Sequence, residues 1–249
     1  MTSNSAARMT FGENVIAFNL SLDFPEKLPP GIGVMNPFRE NNCAIAACEA
    51  FYGKYYDDHN QRFIILGINP GRFGAGITGV PFTDPKRLKE KCGIVIPACP
   101  PAHEPSSEFV YAVIAACGGP GQFYRKWYIN SLCPLGFTRM GKQGKPINYN
   151  YYDSAELARL ATPFIVRTLW EQIGFGIERR ACICLGTGKN AQFLEKLNQE
   201  HGFFRKIIPV EHPRYIMQYK KPELAVYIDR YREAFAEAIQ EQGIDRTAQ

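Results

Sequence analysis

The chain of 249 residues contains no apolar run near the roughly 18 residues that a membrane span needs, and no C-x-x-C pair. The first absence argues against a membrane helix, and the second removes a common ligand spacing of zinc and iron–sulfur sites. The opening MTSNSAARMTFGEN lacks the uninterrupted hydrophobic stretch of a secretory signal, so a cytoplasmic protein is expected. Low complexity is missing as well: 22 glycines and 18 prolines make about a sixth of the chain, below the roughly 25–30% of disordered sequences. There is no internal repeat. With 45% hydrophobic and 21% charged residues, the composition is that of a soluble globular protein. Residues 1–249 therefore read as one domain, with 1–60 as its N-terminal helical cap.

Eight cysteines are present, and without an export signal they are expected to be reduced thiols rather than disulfides or metal ligands. Cys182 and Cys184 alternate in an apolar run and should share one face of a strand. The net charge of +5 is too small to name a partner, but its distribution is informative. From Phe109 to Tyr152 there is no acid, while Arg125, Lys126, Arg139, Lys142 and Lys145 alternate with Phe, Tyr and Trp. That mixture suits a phosphate chain with exposed bases, and it equally suits a solvated face over an aromatic core. A second basic stretch runs from Arg205 to Lys221, with Glu211 as its one acid.

Periodicity gives an N-terminal helical segment, a proline-rich break, and a helix over Asn41 to Tyr56. Four short apolar runs read as buried strands: RFIILG (62–67), WYINSL (127–132), RACICLG (180–186) and KIIPVEH (206–212). Residues 67–105 read mostly as loop, with a helical turn at Pro85 to Cys92. Ser106 and Ser107 are placed to cap a helix ending at Gly118-Gly119, and TRMGKQGKPINYNYY reads as an exposed hairpin or long loop. Asp153 and Glu156 fit a capping pair, Thr162-Pro163 a further helix start, and helices follow from Lys189 to Glu200 and from Pro222 to Gln240.

Strands alternating with helices imply an α/β fold, a three-layer α/β/α sandwich around a four-stranded parallel sheet. Ligands bind such sheets beyond the carboxyl ends of the strands. That rule gathers Asn69, Asn130, the turn Thr187-Gly188-Lys189 and His212 around one cleft. The loop GINPGRFGAGITGVPF (67–82) lacks the Gly-Lys-Ser/Thr ending of a P-loop and the spacing of G-x-G-x-x-G, so a nucleotide cofactor has little support.

This loop resembles motif 1 of the uracil-DNA glycosylase superfamily, in the G-x-N-P-G…G-V-P-F form of the single-strand-selective monofunctional (SMUG) family. YINSLCPLGF (128–137), the third strand with its glycine turn, and EHP (211–213) agree in the same order, so the resemblance spans about residues 62–215. Two details are similar to the bacterial-type branch: HPRYIMQY is short before its arginine, and Gly71 stands where uracil-specific relatives carry a tyrosine that blocks a 5-methyl group.

The resemblance implies a DNA repair glycosylase that extrudes uracil, cleaves its N-glycosidic bond with water and leaves an abasic site. Asn69 and His212 are its implied catalytic residues, the first holding the water, the second donating to uracil O2 as charge develops. Phe82 would stack on the base, Asn130 would read its O4/N3–H edge, and Ile68 and Gly71 complete the base-binding set. Gly186, Thr187, Gly188 and Lys189 would meet a DNA phosphate, and Arg214 and Tyr215 are the candidates for a duplex wedge. The first loop has no lysine, so a Schiff-base lyase step is not expected. DNA is the expected partner, with no cofactor, metal or membrane, for a monomer in a bacterial cytosol, associated with the nucleoid.

Taken singly, His212 reads equally as a surface histidine beside Glu211, Asn130 as a strand end and Phe82 as core. Other functions fit parts of the pattern: a non-catalytic single-stranded DNA-binding module, a glycosylase mainly for deaminated purines such as xanthine, or a small-molecule enzyme using the same cleft.

Overall fold

The computed structural model describes residues 8–241; the first seven residues of the expected helical cap lie outside that range. Helix α1 (Phe11–Ser21) opens with a capping box in which Thr10 accepts from the Glu13 N–H and Glu13 accepts from the Thr10 N–H. The proline-rich break holds a strand that apolar periodicity did not reveal, β1 (Ile32–Met35), then the single turn α2 (Pro37–Glu40) and α3 (Asn42–Tyr55).

Strand β2 (Arg62–Gly67) is buried along its whole length, as its unbroken apolar run requires of a strand covered on both faces. After it come α4 (Ala75–Thr78), α5 (Pro85–Cys92), α6 (Pro105–Ala116) and α7 (Pro120–Phe123). Helix α6 begins at Pro105, so Ser106 and Ser107 occupy its first turn instead of capping it; the Ser107 hydroxyl accepts from the Asp84 N–H. Strand β3 (Trp127–Ser131) leads into a hairpin, β4 (Gly136–Met140) and β5 (Pro146–Tyr149), which joins β1 in an antiparallel sheet of order β1-β4-β5.

Helix α8 (Ala155–Ile173) is continuous through Pro163, so Thr162-Pro163 starts no second helix. Its buried stripe of Leu157, Ala161, Phe164, Ile165 and Leu169 outweighs the one hydrogen bond that proline removes. Its cap is Ser154, accepting from the Leu157 N–H, while Asp153 closes the preceding turn onto the Asn150 N–H. The chain ends through β6 (Ile177–Leu185), α9 (Lys189–His201), β7 (Lys206–Val210), α10 (Pro213–Tyr219) and α11 (Leu224–Gln240).

The parallel sheet runs β3-β2-β6-β7. The right-handed rule for parallel crossovers places α6 on one face and α8 and α9 on the other; α8, α9 and α11 contact β6, and α11 also packs on α6 and β7. The direction of winding reverses between β2 and β6, so a crevice opens beyond their carboxyl ends.

One open alternative is decided and one expectation corrected here. In the acid-free stretch, Phe109, Phe123, Tyr124, Trp127, Tyr128, Phe137 and Tyr151 are all core residues, which leaves none of them free to stack on DNA bases. Cys43 and Cys99 are joined as a disulfide rather than free thiols: the first turn of α3 and the 93–104 loop bring their Cα atoms to 5.0 Å, well within bridging range. The other six cysteines carry free thiols, five of them buried, and burial pushes Cys48 up to about 12. No helix among the described residues is long and apolar enough to cross a membrane.

Candidate active site

A cavity of about 140 Å³ lies beyond the carboxyl ends of β2, β3 and β7, walled by the 68–82 loop, the start of α6, the end of β3, the end of the hairpin and the start of α10. A larger groove of about 700 Å³ beside α5 is mainly apolar and holds none of the nominated residues, so chemistry rather than size picks out the site. Ile68, Asn69, Gly71, Phe82, His212 and Arg214, drawn from opposite ends of the chain, all line the smaller cavity.

Asn69 follows β2 directly, and its carboxamide is held from the hairpin side. Its Nδ2 donates to the Tyr149 carbonyl and its Oδ1 accepts from the Tyr151 N–H, each at 3.4 Å. Phe82 is the one non-glycine with positive φ among the described residues, at 52°. A phenylalanine in the left-handed region costs of order 1–2 kcal/mol, a strain typical of functional positions. Its ring lies over Gly67, where an added Cβ would stand 3.1 Å from Cε2, and its centroid is 5.9 Å from that of His212.

His212 lies beyond the end of β7 and is the N-cap of α10: its Nδ1 accepts from the Arg214 N–H at 3.1 Å. That bond leaves the proton on Nε2. Burial, reinforced by the nearby Arg214 charge, lowers its pKa to about 4, so the ring is a neutral Nε2–H donor at pH 7.

Asn130 does not reach the cavity. Its Nδ2 donates inward to the Tyr128 hydroxyl at 2.7 Å and to Gln172 Oε1 at 2.6 Å, and its Oδ1 accepts from the Ser131 N–H. Strand alternation turns the next residue, Ser131, toward the cavity instead. The expected base-reading amide is therefore committed to the core. The space beside Gly71 is not open either, because Glu104 Oε1 and Asn148 Nδ2 stand 3.4 and 3.6 Å from where a Cβ would be.

Gly186, Thr187, Gly188 and Lys189 form a turn outside the cavity wall. Gly188 N-caps α9 without a side-chain bond, and Gly186 lies alongside His212. Tyr215 is exposed, packs against Tyr219 and does not line the cavity.

Residues that the sequence did not nominate complete the cavity: Glu104, Ser106, Ser131, Asn148 and Asn150. Period-two alternation along β3 was a signal for Ser131; Ser106 was read only as a helix cap, and Glu104, Asn148 and Asn150 sit in segments that read as loops or a hairpin. Burial and the charge of Asp84 raise the Glu104 carboxyl to about 7, against the opposing pull of Arg214 and Arg87. Asp84, fully buried, anchors this wall: Oδ1 accepts from the Arg87 N–H, and Oδ2 from the Glu104 N–H and the Arg87 guanidinium. Asparagine has one acceptor oxygen in place of two, so Asp84→Asn is expected to lose about 1.5–3 kcal/mol of stability, measured by urea unfolding. Among the described residues no three His, Cys, Asp or Glu side chains cluster as metal ligands.

A family profile described as the uracil DNA glycosylase superfamily matches residues 54–241. Over 102 residues the chain is 31% identical to the single-strand selective monofunctional uracil DNA glycosylase of Mus musculus, covering 34% of this chain and 37% of that protein. The Bos taurus protein of the same description is 28% identical over 100 residues, with the same coverage. These matches span little more than a third of the relatives' length. A crystal structure of wild-type Pedobacter heparinus SMUG2 is 50% identical and aligns with a TM-score of 0.91 over 94% of this chain and 100% of that one. A match of that extent, joined to a profile running through most of the sequence, establishes that the chain belongs to the uracil DNA glycosylase superfamily.

Proposed function

We propose that the protein is a monofunctional DNA glycosylase that hydrolyses the N-glycosidic bond of uracil and leaves an abasic site. The observation that carries this is the meeting of Asn69, Phe82 and a neutral His212 on one cavity. Phe82 supplies a stacking face for an extruded base. The Nε2–H of His212 is a hydrogen-bond donor for the uracil oxygen on which negative charge grows as the bond breaks. An amide is not a strong base, so Asn69 positions the attacking water and the reaction leans on departure of the base. The N–H groups at the start of α9 suit a backbone phosphate, and Arg214 and the exposed Tyr215 suit contact with the flanking strand.

In this reading DNA is the partner, no cofactor or metal takes part, and the chain works in the cytosol as a monomeric domain in which residues 1–60 form a cap. A second reading takes a deaminated purine such as xanthine as main substrate, to which Gly71 presents no side chain of its own although Glu104 and Asn148 occupy the space beside it. The test is a panel of single-lesion oligonucleotides followed by alkaline cleavage. Strand scission at uracil is expected. Scission at xanthine alone would replace the first reading with the second, and scission at neither, with salt-dependent DNA binding retained, would make the protein a binding module.

A further inference from the structure

Glu104 has no part in the chemistry derived so far, yet its carboxyl is built into the cavity wall. It lies against the glycine loop so closely that a Cβ on Gly74 would overlap it and one on Gly71 would touch Oε1 at 3.4 Å. Those two glycines make room for the carboxyl as well as for a ligand. Its backbone is fixed by the N–H bond to Asp84 at 2.8 Å, but Oε2 is buried without any hydrogen-bond partner. A buried polar atom left unpaired is costly; the carboxyl that carries it lines the cavity, so a ligand that engages the group and turns it from Gly74 can supply the missing partner.

Resting on the glycosylase reading, we propose that Glu104 is a specificity-determining residue that meets the extruded base as a neutral acid, donating its O–H to an acceptor atom on the base edge. Uracil and the deaminated purines carry ring carbonyls as such acceptors. A carboxylate only accepts and would face those carbonyls with like polarity, so ionisation of Glu104 removes the contact.

The surroundings favour the neutral form. Asp84, at the cap of α5, opposes ionisation, while Arg87 from α5 and Arg214 from α10 assist it. Arg87 is itself engaged by Asp84 and Glu108. His103, on the segment of Glu104, stands 3.6 Å from Asp84. Arg72 in the glycine loop has its guanidinium over Phe73, and His212 across the cavity is neutral. Burial with these opposing charges leaves the carboxyl titrating at about 7.

The test compares wild type, Glu104→Gln and Glu104→Ala between about pH 5.5 and 9. One arm measures single-turnover base release from a uracil oligonucleotide, the other affinity for the same strand carrying uncleavable 2′-fluoro-deoxyuridine. In wild type both quantities should fall above about pH 7, approaching tenfold per unit. Glutamine keeps a donor but cannot ionise, so it should lower the plateau about threefold and flatten both profiles, while alanine should lose about tenfold at low pH. A limb that survives unchanged in Glu104→Gln, or an alanine variant as fast as wild type, overturns the assignment and leaves the enzyme standing. Binding that titrates in wild type and not in Glu104→Gln, without base release at any pH, overturns the glycosylase reading and leaves Glu104 as the residue that meets the base.

Discussion

Substituting His212 by alanine should lower single-turnover release of uracil by about 10²–10³-fold, the usual loss on deleting one preorganised donor to a developing anion. Asn69→Ala should cost about 10²-fold or more, because the water it positions must then find the sugar carbon unaided. Both variants should keep most of their affinity for uracil-bearing DNA, since the lost interactions strengthen as the bond breaks. His212 also caps α10, so alanine removes two things at once. His212→Asn separates them: asparagine is a favoured cap but carries no Nε2–H, and its rate should stay as low as that of alanine while its unfolding midpoint recovers. Unchanged rates in Asn69→Ala and His212→Ala would remove the proposed site. With the imidazole neutral down to about pH 4, the Glu104→Gln variant, which lacks the carboxyl limb, should show no break at the ordinary histidine value of 6.5.

The largest effect on stability should come from Arg62→Ala, a loss of about 3–5 kcal/mol and a fall in Tm of about 10 °C. Arg62 opens β2 yet its side chain is entirely buried. Its guanidinium donates to both Asp58 oxygens at 2.8 and 2.9 Å and to the Tyr124 carbonyl at 2.7 Å, and it lies 4.6 Å from the centroids of Phe11 and Tyr56. It therefore ties α1 and the end of α3 to the parallel sheet. Alanine would leave the buried Tyr124 carbonyl without its partner, the half-buried Asp58 carboxylate unpaired, and a void between α1, α3 and the sheet. Lysine preserves the charge but not the planar fork, so Arg62→Lys should recover less than half of the loss. Burial alone would raise the Asp58 carboxyl, but the bonds from Arg62 and Asn60 hold it below its ordinary value of 3.8. The pair's contribution is thus complete above that value and is lost as pH falls through the lower, folded one. Urea unfolding at neutral and acid pH checks both points.

The parallel sheet was legible because its strands are buried on both faces and so appear as unbroken apolar runs. RFIILG was read to the residue, and the other strands shifted by a few positions at their ends. Strand β1 was not legible: all four of its residues are half-buried, and its pairing with β4 is specified by a segment a hundred residues away. Asn69 and His212 stood out because they follow strand ends, and Phe82 because the G-V-P-F segment resembles that of a known family; the strain at Phe82 was not legible. Asn130 misled for the same kind of reason, since side-chain direction changes with every residue of a strand and the amide proved to face Gln172. Glu104 left no mark at all. What makes it notable is Gly74, thirty residues earlier, and Asp84 beneath it, and neither proximity is written in local sequence.

Asn148 and Asn150 approach the cavity from a hairpin inserted between two strands of the parallel sheet, while Asn69 and His212 sit on the sheet's own connections. The same hairpin end also holds the Asn69 carboxamide, through the Tyr149 carbonyl and the Tyr151 N–H, so the insert sets the position of the proposed catalytic amide as well as one wall of the cavity. Lengthening or exchanging the insert is therefore expected to disturb the Asn69 carboxamide and the cavity wall together, which couples the shape of the cavity to the placement of the water.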